Sequence, residues 1–148
     1  MIKKRIAAAV VVKNNRVVQS FAYRRYLPVG KPVDVIQNLD RWSVDDIIIL
    51  DIDRSSKNLE PNYEIIKEIS SIPISTPLTY GGGISSVKDA IQVIATGAER
   101  IIVDNLFIKN PNMLKSISKS IGSQGVVVCL PIKLINGKAF HYDYIKKE

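Results

Sequence analysis

The sequence predicts an α/β fold built on a parallel sheet, and three features of the chain support that class. Apolar runs of strand length alternate with segments in which apolar residues recur at helical spacing. The apolar runs are not broken by polar residues, which is typical of strands buried on both faces of a parallel sheet. The chain has 148 residues, enough for one domain with a buried core, so we expect a single domain over residues 1–148.

Each element follows from a local pattern of this kind. The predicted elements, in chain order, are strands at 6–12 and 16–20, a helix at 32–42, a strand at 47–50, a loop at 54–62, a helix carrying Ile65, Ile66 and Ile69, a strand at 77–80, a helix at 87–96, a strand at 100–103, a helix from 111 to Gly122, a strand at 126–130, and a hairpin of 132–135 with 138–144.

The ends of these elements carry the clearest signals. Pro32 suits the first position of a helix, where its missing N–H is not needed. Ser86 is a helix-capping residue with Asp89 three positions later, and Gly97 can end that helix. Asn136-Gly137 is the strongest hairpin-turn signal in the chain.

The order of strands and helices allows either a doubly wound open sheet or part of a (βα)8 barrel. A dinucleotide-binding doubly wound fold would place G-x-G-x-x-G directly after the first strand. That turn is Lys13-Asn14-Asn15-Arg16, which contains no glycine. The sequence therefore favours the barrel.

Composition excludes several classes of protein. The net charge is +7, but the lysines and arginines are scattered along the chain, so we predict no nucleic-acid partner. The single cysteine, Cys129, cannot form an internal disulfide, and within its apolar strand it is interpreted as a buried small residue rather than a nucleophile. No apolar run is long enough to span a bilayer, so we expect no membrane association and a cytoplasmic location.

Ligands of either architecture bind at the carboxyl ends of the strands. Gly81-Gly82-Gly83 ends one strand before a helix, which suits either phosphate binding or a tight turn without a ligand. Asp51 and Asp53 alternate along a strand exit and are candidates for polar substrate contacts, although one could cap the loop while the other is solvated. The only histidine, His141, lies on the late hairpin, so neither a metal nor a cofactor is predicted.

The first long loop is rich in aromatic and basic residues. It is a candidate lid over the site, or simply a solvated loop. Its members are Phe21, Tyr23, Arg24, Arg25 and Tyr26.

Several motifs together resemble the cyclase subunit of imidazole glycerol phosphate synthase. The motifs are looser variants of those of that subunit, and in this form they are more similar to the paralogous cyclase-like subunit of amidotransferases in surface-polysaccharide (lipopolysaccharide O-antigen) biosynthesis. The motifs are Lys4-Arg5-Ile6, Gly30-Lys31-Pro32, Leu50-Asp51-Ile52-Asp53, Tyr80-Gly81-Gly82-Gly83-Ile84, Gly97-Ala98-Glu99-Arg100, Lys109-Asn110-Pro111 and Gly122-Ser123-Gln124.

This resemblance implies a (βα)8 barrel, a fold of ~250 residues. The chain has about five βα units, which make half a barrel plus one strand and a hairpin, truncated at the C-terminal side. The first and fifth strands are then expected to be open edges through which the chain could self-associate.

The resemblance also implies a glutaminase partner that supplies ammonia through the barrel. Arg5, Asp46 and Arg100 match charged positions at the amino end of the barrel, where ammonia enters, and Glu99 matches a position facing the glutaminase. The glycines Gly81, Gly82 and Gly83 and the pair Asp104-Asn105 match the phosphate site. Asp104 places a carboxylate where an anion is expected.

The departures from the family concern the reaction. The resemblance implies acid/base aspartates on the first and fifth strands, and this chain has Val11 and Pro131 at those positions. It has Gln19 where a lysine is implied in the first loop. No catalytic residue is therefore assigned. We therefore expect a subunit that supports amidation of a phosphorylated or sugar-nucleotide substrate. The alternatives are an inactive remnant that acts as an interaction module, and the ordinary cyclase of histidine biosynthesis.

Overall fold

The structure is a computed structural model that describes residues 4–21 and 24–142, in which a seven-stranded sheet and a separate hairpin are found. The strands are β1 (Ala7–Lys13), β2 (Arg16–Phe21), β3 (Arg25–Gly30), β4 (Asp46–Asp51), β5 (Leu78–Gly81), β6 (Arg100–Val103), β7 (Val126–Val128), β8 (Ile132–Ile135) and β9 (Lys138–His141). The helices are α1 (Pro32–Arg41), α2 (Ile52–Ser56), α3 (Tyr63–Ser70), α4 (Val87–Thr96), α5 (Asn105–Lys109) and α6 (Pro111–Ile121).

The order of the parallel strands decides between the two architectures. Strands β1, β4, β5, β6 and β7 are parallel and lie side by side in the order in which the chain makes them. A doubly wound sheet reverses its order at a switch point, and this sheet does not. Helix α1 packs on α3, α3 on α4, and α4 on α6. The predicted α/β fold is confirmed, and its four βα units with a fifth parallel strand follow the succession of a (βα)8 barrel.

The core lies between the sheet and these helices. Ile47, Ile49, Tyr80 and Ile101 point into it from three neighbouring strands and are fully buried. Because successive strand residues face opposite sides, their neighbours lie on the other side of the sheet, which we call the helix-free face.

The prediction that both faces of the first strand are buried is wrong. Val10 and Val12 are buried in the core, whereas Ala7 and Ala9 on the helix-free face are exposed. An unbroken apolar run is typical of a barrel strand. One face of such a strand packs against helices, and the other faces the barrel interior. Here that interior is open beside β1.

The segment predicted as a loop after the second strand contains another strand. β3 pairs with β2 in an antiparallel ladder. Pro28 in β3 cannot donate a backbone hydrogen bond, which suits an edge strand and conceals the strand pattern in the sequence. Tyr23, part of the predicted lid, lies outside the described residues.

This hairpin also changes the edges of the sheet. β2 pairs with Val12 and Lys13 at the end of β1, so β3 and β7 are the outermost strands. The prediction that the first strand is an open edge is therefore wrong only at Val12 and Lys13, since residues 7–11 pair with β4 alone among the described strands. The fifth parallel strand, β7, does lie at an edge.

Two five-residue helices directly follow strands. α2 occupies the start of the segment predicted as a loop at 54–62, and α5 follows β6. Helices this short complete too few turns to show a helical period in the sequence. The strand predicted at 126–130 ends at Val128, and Cys129 donates its N–H to the carbonyl of Val103 over 2.8 Å before Pro131 ends the pairing.

The hairpin turn at Asn136-Gly137 is confirmed. Both residues have positive φ, +50° and +76°, and Ile135 pairs with Lys138 across the turn. In the described part of the chain no helix is both long and apolar enough to cross a bilayer.

Candidate functional site

A polar cavity of about 170 Å³ lies at the carboxyl ends of β1 and β4. Asp51 and Asp53 both line it, as the sequence predicts, but not because they alternate along a strand. Asp51 ends β4, and Asp53 belongs to the first turn of α2. The other lining residues are Asn14, Asn15, Arg54, Lys57 and Leu59.

Asp51 is the buried acid of this cavity. Its Oδ2 accepts hydrogen bonds from Asn62 Nδ2 at 3.3 Å and Arg54 Nε at 3.4 Å. Burial raises the pKa of Asp51 above its ordinary value, and these two donors only partly oppose the rise. Asn62 in turn donates to Asn15 over 2.8 Å, so the acid is held in a network with the β1–β2 turn.

Asp53 fastens the same turn from the other side. Its Oδ2 accepts the backbone N–H of Asn14 at 2.6 Å, and its Oδ1 lies 3.4 Å from Lys57 Nζ. With Arg54 beside Asp51, the acids and bases of the cavity balance. Such a site can hydrogen-bond the hydroxyl groups of a substrate without attracting a net charge.

A third carboxyl group, that of Asp89 in α4, has a pKa shift opposite to that of Asp51. Asp89 closes the capping box of α4, where its Oδ2 accepts from the backbone N–H groups of Ser85 and Ser86 at 3.0 and 2.9 Å. Burial acts to raise the pKa of Asp89, but these bonds and those of the serine hydroxyls outweigh it and lower the pKa.

We expect carboxyl-detected NMR titration to separate the two groups. Asp51 should titrate above the ordinary value of 3.8 and Asp89 below it. By linkage, the contribution of Asp89 to stability is present above 3.8 and lost as the pH falls through its lower pKa in the folded chain. The contribution of Asp51 is largest below 3.8 and declines as the pH rises toward its raised pKa. Midpoints in the reverse order would contradict the hydrogen bonding described here.

The glycine turn after β5 packs against the β4–α3 segment. Gly82 and Gly83 have φ of +141° and +73°. A Cβ on Gly82 would lie 2.5 Å from the carbonyl oxygen of Asp51, and one on Gly83 would lie 2.4 Å from that of Leu59. The N–H of Gly83 donates to Ser55 Oγ at 3.2 Å. Packing alone therefore requires these glycines, and anion binding by them stays a prediction.

Asn105 presents the one buried side-chain donor without a partner in the described part of the chain. It lies at the start of α5 with 8% of its surface exposed, and its Nδ2 makes no hydrogen bond. Buried amide donors are nearly always satisfied, so this atom is a candidate contact for a ligand. Asp104 Oδ1 accepts the backbone N–H of Asn105 at 2.5 Å, which directs the carboxylate into the cap of α5.

Cys129 fits the non-nucleophilic interpretation. It is half-buried, and burial together with the negative charge of Asp104 raises the pKa of its thiol. Nucleophilic cysteines need the opposite shift, because the thiolate is the reactive form.

At the opposite end of the strands, an ion pair crosses the helix-free face. Arg100 Nη2 of β6 donates to Asp46 Oδ2 of β4, and Thr79 Oγ1 of β5, between them, donates to Asp46 Oδ1 at 3.3 Å. Two of the three predicted charged residues therefore meet. Arg5 lies beside them but donates to the carbonyl of Asp45 at 2.9 Å instead. Thr79 was not predicted, although a polar residue within a short buried strand is a signal.

Two exposed large apolar residues precede strands at this end of the sheet. Trp42, which follows α1, is 74% exposed, and Ile6, which precedes β1, is 70% exposed. Glu99, which precedes β6, is also exposed. The resemblance indicated Glu99, but neither Trp42 nor Ile6 was predicted as a site residue.

The family model described as "Histidine biosynthesis protein" matches residues 5–146. The chain belongs to this family. It is 33% identical over 133 residues to the imidazole glycerol phosphate synthase subunit HisF of Petrotoga mobilis, which covers 90% of this chain and 52% of that protein. It is also 33% identical over 145 residues to the putative subunit hisF2 of Vibrio vulnificus, with 97% and 53% covered. The chain spans about half the length of the curated relatives it matches.

Within the histidine biosynthesis protein family, the resemblance placed the two acid/base aspartates at Val11 and Pro131. Val11 lies half-buried on the helix-free face, beside Leu50 of β4. Pro131 follows β7 and leads into the hairpin. Neither side chain can carry a proton, and Gln19 on β2 carries no charge where the family has a lysine.

Proposed function

We propose that this chain is the cyclase-like subunit of a glutamine-dependent amidotransferase, acting as a single domain. It accepts ammonia from a glutaminase at the amino ends of the strands and delivers it to a substrate at their carboxyl ends. The observation that carries this proposal is the Asp46–Arg100 ion pair with Thr79, set at one end of a row of apolar residues on the helix-free face.

The composition of the helix-free face supports such a path. By register, the residues in line with the ion pair along β1, β4 and β6 are Ala9, Ile48, Leu50 and Ile102. A neutral molecule such as ammonia can cross an apolar surface that charged species avoid. The charges of Asp46 and Arg100 neutralise each other. The pair can therefore lie at the start of the path without binding a cation there.

The exposed residues around the ion pair support docking of a glutaminase. Tryptophan is enriched among the residues that dominate binding energy in protein interfaces. Trp42 and Ile6 supply apolar contacts, while Arg5 and Glu99 supply charges of both signs at the rim. This arrangement of an apolar centre and a polar rim is the usual anatomy of an interface.

The carboxyl ends support a polar, phosphorylated substrate. We propose that Asn105 Nδ2 and the turn formed by Gly81, Gly82 and Gly83 contact its anionic group, and that Asp51 and Asp53 contact its hydroxyls. Val11 and Pro131 stand at the two positions where the resemblance implies the acid/base aspartates of ring closure. We therefore propose amidation of a sugar nucleotide in surface-polysaccharide biosynthesis as the reaction.

The test combines the purified chain with a candidate glutaminase. We expect a stable complex and glutamine hydrolysis raised at least about tenfold over the glutaminase alone, the size of a typical allosteric coupling. A mixture that forms no complex would refute the proposal. Closure of an imidazole ring by the complex would instead establish the histidine-pathway reaction and refute the assignment of sugar amidation.

A second candidate is an interaction module without catalysis, and the same two substitutions, Val11 and Pro131, favour it. In that case the complex forms but glutamine hydrolysis stays at the rate of the glutaminase alone. Self-association through the open β7 edge belongs to this candidate. Light scattering of the chain by itself measures it, and a monomer across the micromolar range would rule it out.

A further inference from the structure

A cavity of about 510 Å³ lies beside the β2–β3 hairpin, outside the acid-lined cavity described above. This volume falls within the range of pockets that hold small molecules. Nothing in the resemblance or in the proposed ammonia path uses it. Its lining residues are Lys13, Asn14, Arg16, Val18, Arg24, Arg25, Tyr26 and Pro28.

The lining is basic, and the described residues that form it include no acid. Four of its residues are cations, namely Lys13, Arg16, Arg24 and Arg25. In the described ranges, the acids Asp46, Asp51 and Asp53 form ion pairs, but with other cations, Arg100, Arg54 and Lys57. Positive charges gathered in a cleft without counter-charges create a potential that attracts anions.

The register of the hairpin explains the shape of this cleft. Val18 of β2 lies opposite Pro28 of β3 and gives the cleft an apolar middle. Arg16 stands at the start of β2, while Arg24 and Arg25 stand at the far end of the hairpin. At ~3.3 Å per strand residue, Arg16 and Arg24 flank the cleft from two sides. Arg25 also lines the cleft, with its guanidinium 5.5 Å from the ring centre of Phe21.

The arrangement therefore suits a ligand with more than one negative charge. A single phosphate would meet the cations of one end only, whereas a diphosphate presents oxygens in both directions. Arginine donates two parallel hydrogen bonds to phosphate oxygens, which makes it suited to this contact. Lys13 is held in the cleft with its Nζ 4.0 Å from the ring centre of Tyr26, a cation–π contact.

One residue joins this cleft to the acid-lined cavity. Asn14 lines both of them. A ligand anchored by its phosphates among the arginines can extend past Asn14 toward Asp53 and Asp51. A sugar attached to the diphosphate would then meet the carboxylates that are suited to its hydroxyls.

We propose that the basic cleft, in place of Asn105 and the glycine turn, binds the diphosphate of a nucleoside diphosphate ligand and presents the attached group to the acid-lined cavity. The inference rests on the proposed function for the class of substrate, since a sugar nucleotide carries this diphosphate. Binding itself needs no glutaminase, so the two proposals can fail separately.

The test is calorimetric titration of the purified chain with UDP and, separately, with inorganic pyrophosphate. We expect both to bind saturably at one site. The triple variant Arg16→Gln/Arg24→Gln/Arg25→Gln should weaken both affinities at least about tenfold, because charge-assisted hydrogen bonds to the anion are lost. The matched control Lys67→Gln/Lys115→Gln/Lys119→Gln removes three exposed charges from α3 and α6 and should change them less than about twofold. Circular dichroism establishes that each variant is folded.

Three outcomes would overturn the inference. They are absence of saturable binding to the folded chain, equal weakening by the two triple variants, and tighter binding of a single-stranded oligonucleotide than of UDP and pyrophosphate. Loss of the glutaminase complex with UDP binding intact would count against the proposed function alone.

Discussion

Replacing Gly83 with alanine is expected to lower the free energy of unfolding by about 3 kcal/mol, as the sum of two costs. The first is backbone strain, because φ is +73° and a Cβ disfavours that region. The second is crowding, because the new Cβ would lie 2.4 Å from the carbonyl oxygen of Leu59 and 2.9 Å from the carbonyl carbon of Glu60. Neither contact is with the end of a flexible side chain, so the β4–α3 backbone itself has to move.

Urea denaturation followed by circular dichroism measures this loss, and the melting temperature should fall by roughly 6–12 °C. Gly137→Ala is the matched control, since Gly137 has φ of +76° and nothing within 4 Å of the added Cβ. It should show the cost of φ alone, about 1 kcal/mol. Equal losses at the two glycines would mean that the turn after β5 does not pack against the preceding loop.

Elements with strong end signals could be predicted closely. The helix predicted at 87–96 is found at Val87–Thr96, because Ser86 and Asp89 form the capping box and Gly97 takes a positive φ of +130° that ends the helix. Arg100–Val103 was also predicted to the residue. In both cases local chemistry determines the boundary, so no knowledge of tertiary packing was needed.

Elements that depend on strand pairing or on tertiary packing could not be predicted from the sequence. β3 exists because β2 lies next to it, and its sequence, with Pro28 in the middle, has weak strand propensity. α2 and α5 are short helices that directly follow strands. Tertiary contacts, and not a helical recurrence of apolar residues, determine their backbone conformation. Asp53 therefore lines the cavity from a helix that the sequence does not reveal.

The candidate sites divide in the same way. Residue type and position at a strand exit indicated Asp51, whereas the family resemblance indicated Arg5 and Arg100. The unsatisfied donor of Asn105 is not visible, because it depends on what surrounds the amide. The basic cleft is not visible either. It depends on the antiparallel pairing of β2 with β3, which places Val18 opposite Pro28 and so forms the cleft that Arg16 and Arg25 line.

The exposure of Trp42 leads to the second large effect. Trp42→Ala is expected to weaken the complex with the glutaminase about 30-fold, equivalent to about 2 kcal/mol, the usual size for a tryptophan at the centre of an interface. The free chain should lose less than about 0.5 kcal/mol of stability, because a side chain that is 74% exposed makes few contacts to lose.

Surface-based binding measurements between the chain and the glutaminase test this expectation. Phe107→Ala is the matched control, because Phe107 is an aromatic residue, 43% exposed, that lies in α5 after β6, at the carboxyl ends of the strands. It should leave the affinity unchanged within about twofold, since the proposed interface surrounds Asp46 and Arg100 at the other end. At saturating concentration the Trp42 variant should still stimulate glutamine hydrolysis, because the ion pair with Thr79 remains intact. If the Phe107 variant loses affinity and the Trp42 variant keeps it, the glutaminase docks at the carboxyl ends, and the direction proposed for ammonia transfer is wrong.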